Sequence, residues 1–244
     1  DFHARYGAKN RVYCYRIVMS RRAASMAPSK LGVKPGASIS VREAIYALVT
    51  KSCNDVAVAV GEKLAGSEGA FARRMTVRAR ALGMTHSTFT NASGLPDPRQ
   101  FSSARDMARL ARFVISTYPT YYKYYGTKEY YFQGQRLHNH NKLMSSYKGM
   151  DGMKTGYVYA SGYNLVASAV RENHRLIGVV FGGKTSSSRN EHMASLLDAG
   201  FAKLRTQNKA TDVLLVDAAP NLKAPAPATL TVGALIPVTD EIPP

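Results

Sequence analysis

Ten residues, Lys148 to Tyr157 (K-G-M-D-G-M-K-T-G-Y), constrain this chain more than any other stretch. They run into two apolar, β-branched segments, Tyr163 to Val170 and Leu176 to Phe181, joined by Arg171-Glu172-Asn173-His174-Arg175, a pattern that predicts an antiparallel hairpin. Lys154-Thr155-Gly156 is therefore placed on a strand edge, where it presents an ammonium, a hydroxyl and a backbone without a Cβ. That edge suits a substrate carboxylate, because Lys supplies a point charge, Thr a second donor, and Gly lets a ligand backbone approach. Three residues recur by chance, and most such lysines are solvated surface charges, so the reading needs a second motif.

Upstream of this stretch the pattern is helical. Pro28, Pro35 and Gly36 mark a loop, and Ser40-Val41-Arg42-Glu43 is a capping box that opens a helix through Ala44, Ile45, Leu48 and Val49. That helix breaks at Ser52-Cys53-Asn54-Asp55, and a second one runs from Val56 to Leu64, closed by Gly66. A third follows Ser67, with Phe71, Met75, Ala79 and Leu82 on one face and Gly83 at its end. After the turn formers of Thr90 to Arg99, Ser103 caps a helix whose inner face is expected to carry Met107, Leu110, Ala111 and Val114. A last helix, expected to be capped by Ser188 with Glu191, spaces Met193, Leu196, Leu197, Gly200, Phe201 and Leu204 at helical intervals. Helices early and antiparallel strands late give an α+β, or mixed α/β, class. The expected organisation is an unassigned lead-in over residues 1–18, one domain over 19–207, and over 208–244 a Pro/Ala-rich tail or the start of a further module.

At 244 residues and 45% hydrophobic the chain can bury a substantial core. A net charge of +17 is spread along it without a basic block, which suits an anionic neighbour such as a membrane face or a cell wall as well as a generally basic surface. Nucleic acid is not the reading: the tyrosine-rich run from Tyr118 to Tyr131 lacks the accompanying patterns of a base-stacking platform. Cys14 and Cys53 are too few for a disulfide scaffold and lack metal-ligand spacing. No segment reaches the length of a membrane span.

The second motif is Ser52-x-Asn54, at the break between two helices, where a hydroxyl and a carboxamide can face outward from the core. Its alternative reading is a plain cap and turn. The pairing of a Ser-x-Asn element with Lys-Thr-Gly, in this order, is the pattern of penicillin-binding proteins and class A β-lactamases. The runs RRAASMAPSKLGVKPG, ALVTKSCNDVAVAV, FTNASGLPDPRQFSSARDMARLAR, HNHNKLM, GMDGMKTGYVYASGYNLVASA and VVFGGKTSSSR narrow it, from about Met19 to Leu204. They resemble the D-alanyl-D-alanine carboxypeptidases, the low-molecular-mass penicillin-binding proteins of serine peptidase family S11.

That resemblance implies a serine β-lactamase/D,D-transpeptidase-like fold with an antiparallel sheet flanked by helices. It implies a serine-type carboxypeptidase that removes the terminal D-alanine from peptidoglycan stem peptides through an acyl-serine intermediate, inhibited by β-lactams, without metal or organic cofactor. The place of action would be the periplasm or another extracytoplasmic site, with a peripheral association at the membrane surface compatible with it and an export signal expected before the chain. Among the residues, Ser52 would help move the proton between nucleophile and leaving amine, and Asn54 would hydrogen-bond the substrate backbone. Lys154 would polarise the proton path and, with Thr155, bind the terminal carboxylate. Gly156 would leave the approach open, and the N–H of Tyr157 would be the second oxyanion donor.

One element of the family pattern is absent. The family's nucleophile and base form a Ser-x-x-Lys motif upstream of Ser-x-Asn, yet Ser20, Ser25, Ser29, Ser38 and Ser40 all lack Lys three residues on. The Ser145-to-Lys148 match is out of position and reads as chance. Two explanations stand: an N-terminal segment missing or replaced, favoured because the whole lead-in is foreign to the family, or a member without chemistry. Without an activated nucleophile, Ser52, Asn54 and Lys154 position a ligand and form no acyl-enzyme. A non-catalytic module that binds peptidoglycan peptides is therefore the alternative, and a β-lactamase, for which no deacylating carboxylate stands out, ranks below it.

Overall fold

Two compact units make up the molecule, a computed structural model that describes residues 15–207, 216–218 and 233–237. The first comprises the chain up to Val77 with Phe89–Gln100 and Thr127–Asn139. The second comprises Arg78–Thr88, Phe101–Gly126 and the chain from His140 onward. Residues 1–14, Cys14 included, and most of 208–244 lie outside the described residues.

In the first unit, β1 (Arg16–Val18) pairs antiparallel with β2 (Ser38–Ser40), with Ile17 opposite Ile39. Between them lies the short α1 (Arg21–Ala24), capped by Ser20. The expected capping box is present: Ser40 Oγ accepts from Glu43 N–H at 3.2 Å and Glu43 Oε2 accepts from Ser40 N–H at 2.6 Å, opening α2 (Val41–Thr50). After the break, α3 (Asn54–Ala65) ends at Gly66 in the left-handed region, φ 81°, as the glycine signal implied. These elements enclose one core in which Met19, Ile39, Val56 and Val58 are almost wholly buried, joined by Phe132 and Leu137 of the hairpin β3 (Glu129–Phe132) and β4 (Gln135–His138). Tyr46 of α2 stacks on Tyr130 of β3 with ring centroids 4.3 Å apart. The chain passes from the first unit to the second within α4 (Glu68–Ala81).

The second unit is a five-stranded antiparallel sheet in the order β5-β6-β7-β9-β8, made of β5 (Met150–Val158), β6 (Gly162–Arg171), β7 (His174–Gly183), β8 (Val216–Ala218) and β9 (Gly233–Pro237). The β6–β7 hairpin is longer than its apolar runs suggested, because Glu172 and Asn173 both adopt positive φ, 51° and 61°, and turn the chain in two residues. One sheet face packs on α5 (Ala104–Thr117) through Val166, Ile177 and Val179. The other packs on α8 (Ser186–Gln207) through Leu165, Ala167, Leu176, Met193, Leu197 and Phe201. Each fully buried aliphatic side chain contributes about 1.5–3 kcal/mol.

Two helix readings are corrected. The inner face of α5 is Ala104, Ala108, Ala111 and Ile115, with Met107 and Val114 at its margin, because the small alanines allow close approach to the sheet. The last helix begins at Ser186, two residues before the expected cap, and it is Thr185 Oγ1 that accepts the Ser188 N–H at 3.0 Å. The tyrosine-rich run becomes α6 (Pro119–Tyr122), a 3-10 turn over Lys123–Gly126 and β3, with the Tyr122 ring in the core.

Candidate active-site elements

Of the residues singled out in the sequence, Ser52 and Asn54 belong to the first unit, and Lys154, Thr155, Gly156 and Tyr157 to the second.

The Ser52 turn owes its shape to what holds α3. Ser52 itself sits at φ 57°, a left-handed conformation that serine seldom adopts, and it is partly exposed between α2 and α3. Cys53 beneath it is fully buried in the core. Asn54 opens α3 and is 8% exposed; its Nδ2 donates to the Ala27 carbonyl at 3.0 Å and its backbone N–H donates to Ser29 at 2.8 Å. Asp55, unexposed, accepts from the backbone N–H groups of Leu31 at 3.0 Å, Gly32 at 2.9 Å and Val56 at 2.9 Å. One carboxylate thereby ties the loop after α1 to the first turn of α3, where a negative charge also suits the helix dipole. Of the cap-and-turn reading only the turn is seen, at Ser52, because the N-cap position of α3 is Cys53 and no side chain caps it; Ser52 itself is partly exposed.

The Lys-Thr-Gly residues lie on β5, an edge strand among the described residues. Lys154 faces Val166 of β6, Thr155 faces Leu165, Gly156 faces Asn164 and Tyr157 faces Tyr163. The Lys154 ammonium donates to the Thr155 carbonyl at 2.8 Å and is half-buried. A Cβ on Gly156 would meet nothing closer than Asn164 Cβ at 3.9 Å, so packing within the unit does not require glycine there. The Tyr157 ring, 56% exposed, lies 4.5 Å from Tyr163. Asn164 anchors the end of the hairpin, accepting from Gly182 N–H at 3.0 Å and donating to Ser161 Oγ at 2.8 Å.

Sequence reasoning missed two supports of this strand. Arg189, near the start of α8, is 3% exposed and donates to the Asn164 carbonyl at 3.1 Å and to Asn190 Oδ1. These acceptors are neutral, so burial pulls the guanidinium pKa down, and a positive charge is held beneath the residue paired with Gly156. The second support is Asp151, which accepts from the Tyr122 hydroxyl at 2.7 Å and from Arg175 at 2.6 Å, while Arg175 also donates to Ser168 Oγ. Burial, and then the Asp151 charge, push the Tyr122 phenol well above its ordinary range. No local signal separates Arg189 from the many surface arginines of a basic chain. Asp55 was within reach, as an acid in a helix first turn beside Ser52-x-Asn54. The Ser145-to-Lys148 pair lies exposed in and after α7 (Leu143–Ser146).

Solved structures define the class. The chain resembles penicillin-binding protein 5 of Haemophilus influenzae with a TM-score of 0.74 and 29% identity, covering 91% of this chain and 67% of that one. It matches the D-alanyl-D-alanine carboxypeptidase DacD of Francisella tularensis with a TM-score of 0.74 at 26% identity, over 92% and 81% of the two chains. The fold is that of the serine D,D-peptidases. The sequence profile of the D-alanyl-D-alanine carboxypeptidases, peptidase S11, matches residues 11–185, and the chain belongs to that family. DacF of Bacillus subtilis is 37% identical over 196 residues, which cover 78% of this chain and 50% of the relative. DacC of Escherichia coli is 41% identical over 179 residues, 73% of this chain and 45% of the relative. The chain thus spans about half the length of the curated relatives it matches.

Proposed function

We propose that the chain belongs to a serine-type D-alanyl-D-alanine carboxypeptidase acting outside the cytoplasm on peptidoglycan stem peptides, and that it supplies the ligand-positioning residues of that enzyme. The observation that carries this reading is Lys154-Thr155-Gly156 on an edge strand, backed by the buried Arg189 guanidinium and with no packing demand for the glycine. An ammonium, a hydroxyl and an underlying guanidinium attract a terminal carboxylate, and β5, with a strand on one side alone among the described residues, offers an edge along which an extended peptide can lie. Listeria monocytogenes penicillin-binding protein D2, similar at a TM-score of 0.69 and 29% identity over 77% of this chain, was solved with ampicillin bound. A β-lactam carboxylate is the same kind of ligand.

In the reaction of the family, a serine Oγ attacks the carbonyl of the penultimate D-alanine. The new C–O bond forms, the C–N bond breaks, and the serine proton passes to the leaving amine; water then hydrolyses the ester. Ser52 relays that proton, Asn54 holds the peptide backbone, Lys154 lowers the cost of the proton path and binds the carboxylate with Thr155, and the Tyr157 N–H stabilises the oxyanion. Residues 1–51 hold no Ser-x-x-Lys, so the chain as it stands binds without acylating.

The test is titration of the chain with a penicillin and with a peptide ending in D-Ala-D-Ala, followed by intact mass. The expected result is reversible binding of both, weakened at least tenfold by Lys154→Ala, with no covalent adduct. Binding indifferent to Lys154→Ala would overturn the assignment of the edge. A one-drug adduct would overturn the non-acylating reading and, by peptide mapping, name a nucleophile.

A further inference from the structure

The edge strand β5 runs out into a group of tyrosines. Tyr157 is its last residue but one, Tyr159 opens the turn into β6, and Tyr163 stands opposite Tyr157 across the hairpin. The rings of Tyr157 and Tyr163 lie 4.5 Å apart and 39° from parallel, so each limits the rotation of the other. The Tyr159 side chain is 94% exposed, the most open of the large apolar and aromatic side chains among the described residues. From Tyr157 to Tyr163 the chain reads Y-V-Y-A-S-G-Y and holds no charged group. A single exposed aromatic ring is ordinary on a protein surface. What distinguishes these is position, because they continue the strand that carries Lys154-Thr155-Gly156.

The direction of a ligand on this edge follows from its two anchors. With the terminal carboxylate at Lys154 and Thr155 and the carbonyl of the penultimate residue at the Tyr157 N–H, the peptide runs antiparallel to β5, and its N-terminal part points to the turn. An extended peptide advances about 3.3 Å per residue, as the strand beside it does. The third residue from the C-terminus therefore comes level with Val158 and Tyr159. The strand stops at Val158, so that third side chain is the last one the edge can read. The cations of the edge, Lys154 and the Arg189 bound to the Asn164 carbonyl, stand back at the carboxylate end. At the turn the chemistry is that of phenol rings, whose faces cover methylene groups and attract a cation, and give a carboxylate no partner.

We propose that Tyr159 is a specificity-determining residue of this edge, selecting peptides whose third residue from the C-terminus carries a long unbranched side chain ending in an ammonium. The selectivity rests on Lys154-Thr155-Gly156 being the carboxylate site, since that anchor sets which ligand residue reaches the turn. The Tyr159 ring lies along the methylene stem and meets the ammonium with its face. The Tyr157–Tyr163 pair, held in place ring against ring, bounds the shelf on the side of the carboxylate.

The experiment is titration of the chain with peptides that end in D-Ala-D-Ala and differ only in the residue before it: lysine, Nε-acetyllysine, norleucine or alanine. The lysine peptide should bind at least about threefold tighter than the alanine peptide, and the acetyllysine and norleucine peptides about two- to fivefold weaker than lysine, the worth of a cation over an exposed tyrosine face. On a chain of net charge +17 general electrostatics disfavours the ammonium, so a preference for it is diagnostic. Tyr159→Ala should bring the lysine peptide close to the alanine peptide and leave the alanine peptide unchanged, whereas Tyr159→Phe should keep the order. A side chain this exposed is replaced without loss of the fold. Equal affinities for lysine and acetyllysine would overturn the ammonium assignment. A lysine preference untouched by Tyr159→Ala, or a loss equal for all the peptides, would overturn the role of Tyr159. If the peptides all bind, lose affinity with Lys154→Ala and yet are not distinguished by their third residue, the carboxylate site stands and the selectivity at the turn fails alone. Binding indifferent to Lys154→Ala, or no binding at all, would instead remove the carboxylate site, and the selectivity would fall with it.

Discussion

The Asp55 carboxylate lies 3.0 Å from the backbone N–H of Leu31, 24 positions earlier, and through that bond the conformation of the Ser52 turn depends on a distant loop. Removing the carboxylate leaves the N–H groups of Leu31 and Val56 without their acceptor in a buried setting, and Gly32 loses one at the rim. Each unsatisfied buried donor costs about 1–3 kcal/mol. Asp55→Ala should therefore destabilise the chain by roughly 2–5 kcal/mol in urea unfolding, and Asp55→Asn, which keeps one acceptor oxygen, by clearly less. An unchanged urea midpoint for Asp55→Ala would show that the loop is held by something else.

Much of the architecture was legible because it rests on short-range signals. The Ser40–Glu43 box, Gly66 in the left-handed region and Ser103 accepting the Asp106 N–H all follow from side chains satisfying backbone groups within a few residues. The β6–β7 hairpin that follows the Lys154 strand was equally plain. The two-residue turn at Glu172-Asn173 was hidden, since neither residue is glycine although both take positive φ. The site was legible as motifs and not as supports. Tyr122 meets Asp151 across 29 positions, Arg175 meets Asp151 across 24 and Arg189 meets Asn164 across 25, separations at which spacing carries no signal.

The Tyr122 hydroxyl, Asp151 and Arg175 form a network beneath the start of β5, and it gives the protein an alkaline limit. Burial raises the phenol of Tyr122 above the ordinary tyrosine value of 10.0, with the Asp151 charge adding to it. Burial also raises Tyr125 and Tyr147, the latter helped by its bond to Asp198. Folding thus favours the protonated phenols. Their contribution is complete below the unfolded value near 10 and is lost as pH rises through the higher folded values. The urea midpoint should hold between about pH 7 and 9 and fall steeply by about pH 11, and Tyr122→Phe should flatten part of that fall. A Tyr122→Phe profile that superimposes on the wild type would remove Tyr122 from this account.

Gly156 and Gly183 allow function and packing to be separated on two strands of the same sheet. A Cβ at Gly156 meets only Asn164 Cβ at 3.9 Å, an ordinary contact, whereas a Cβ at Gly183 would lie 2.7 Å from Arg189 Cβ and 3.1 Å from the Tyr163 carbonyl. Gly156→Ala should leave the melting temperature within about 1–2 °C and weaken binding of a D-Ala-D-Ala peptide, because only an approaching ligand meets the new methyl. Gly183→Ala should destabilise by about 1–3 kcal/mol through overpacking. Gly156→Ala with full affinity would show that the open backbone is not where the ligand lies.

Arg189 gives the sharpest test of the carboxylate reading, since its charge is buried against neutral oxygens alone. A guanidinium kept charged at that cost, beside the residue opposite Gly156, raises the positive potential along the edge that carries Lys154 and Thr155. Arg189→Met removes the charge and keeps much of the apolar stem, so the desolvation cost disappears together with three hydrogen bonds. Stability should shift by no more than about 2 kcal/mol, while affinity for a carboxylate-terminated ligand should fall about tenfold or more. The readout specific to charge is the comparison with the C-terminal amide of the same peptide. Wild type should prefer the acid, and Arg189→Met should narrow that preference, whereas a purely structural role for Arg189 would lower both affinities by the same factor.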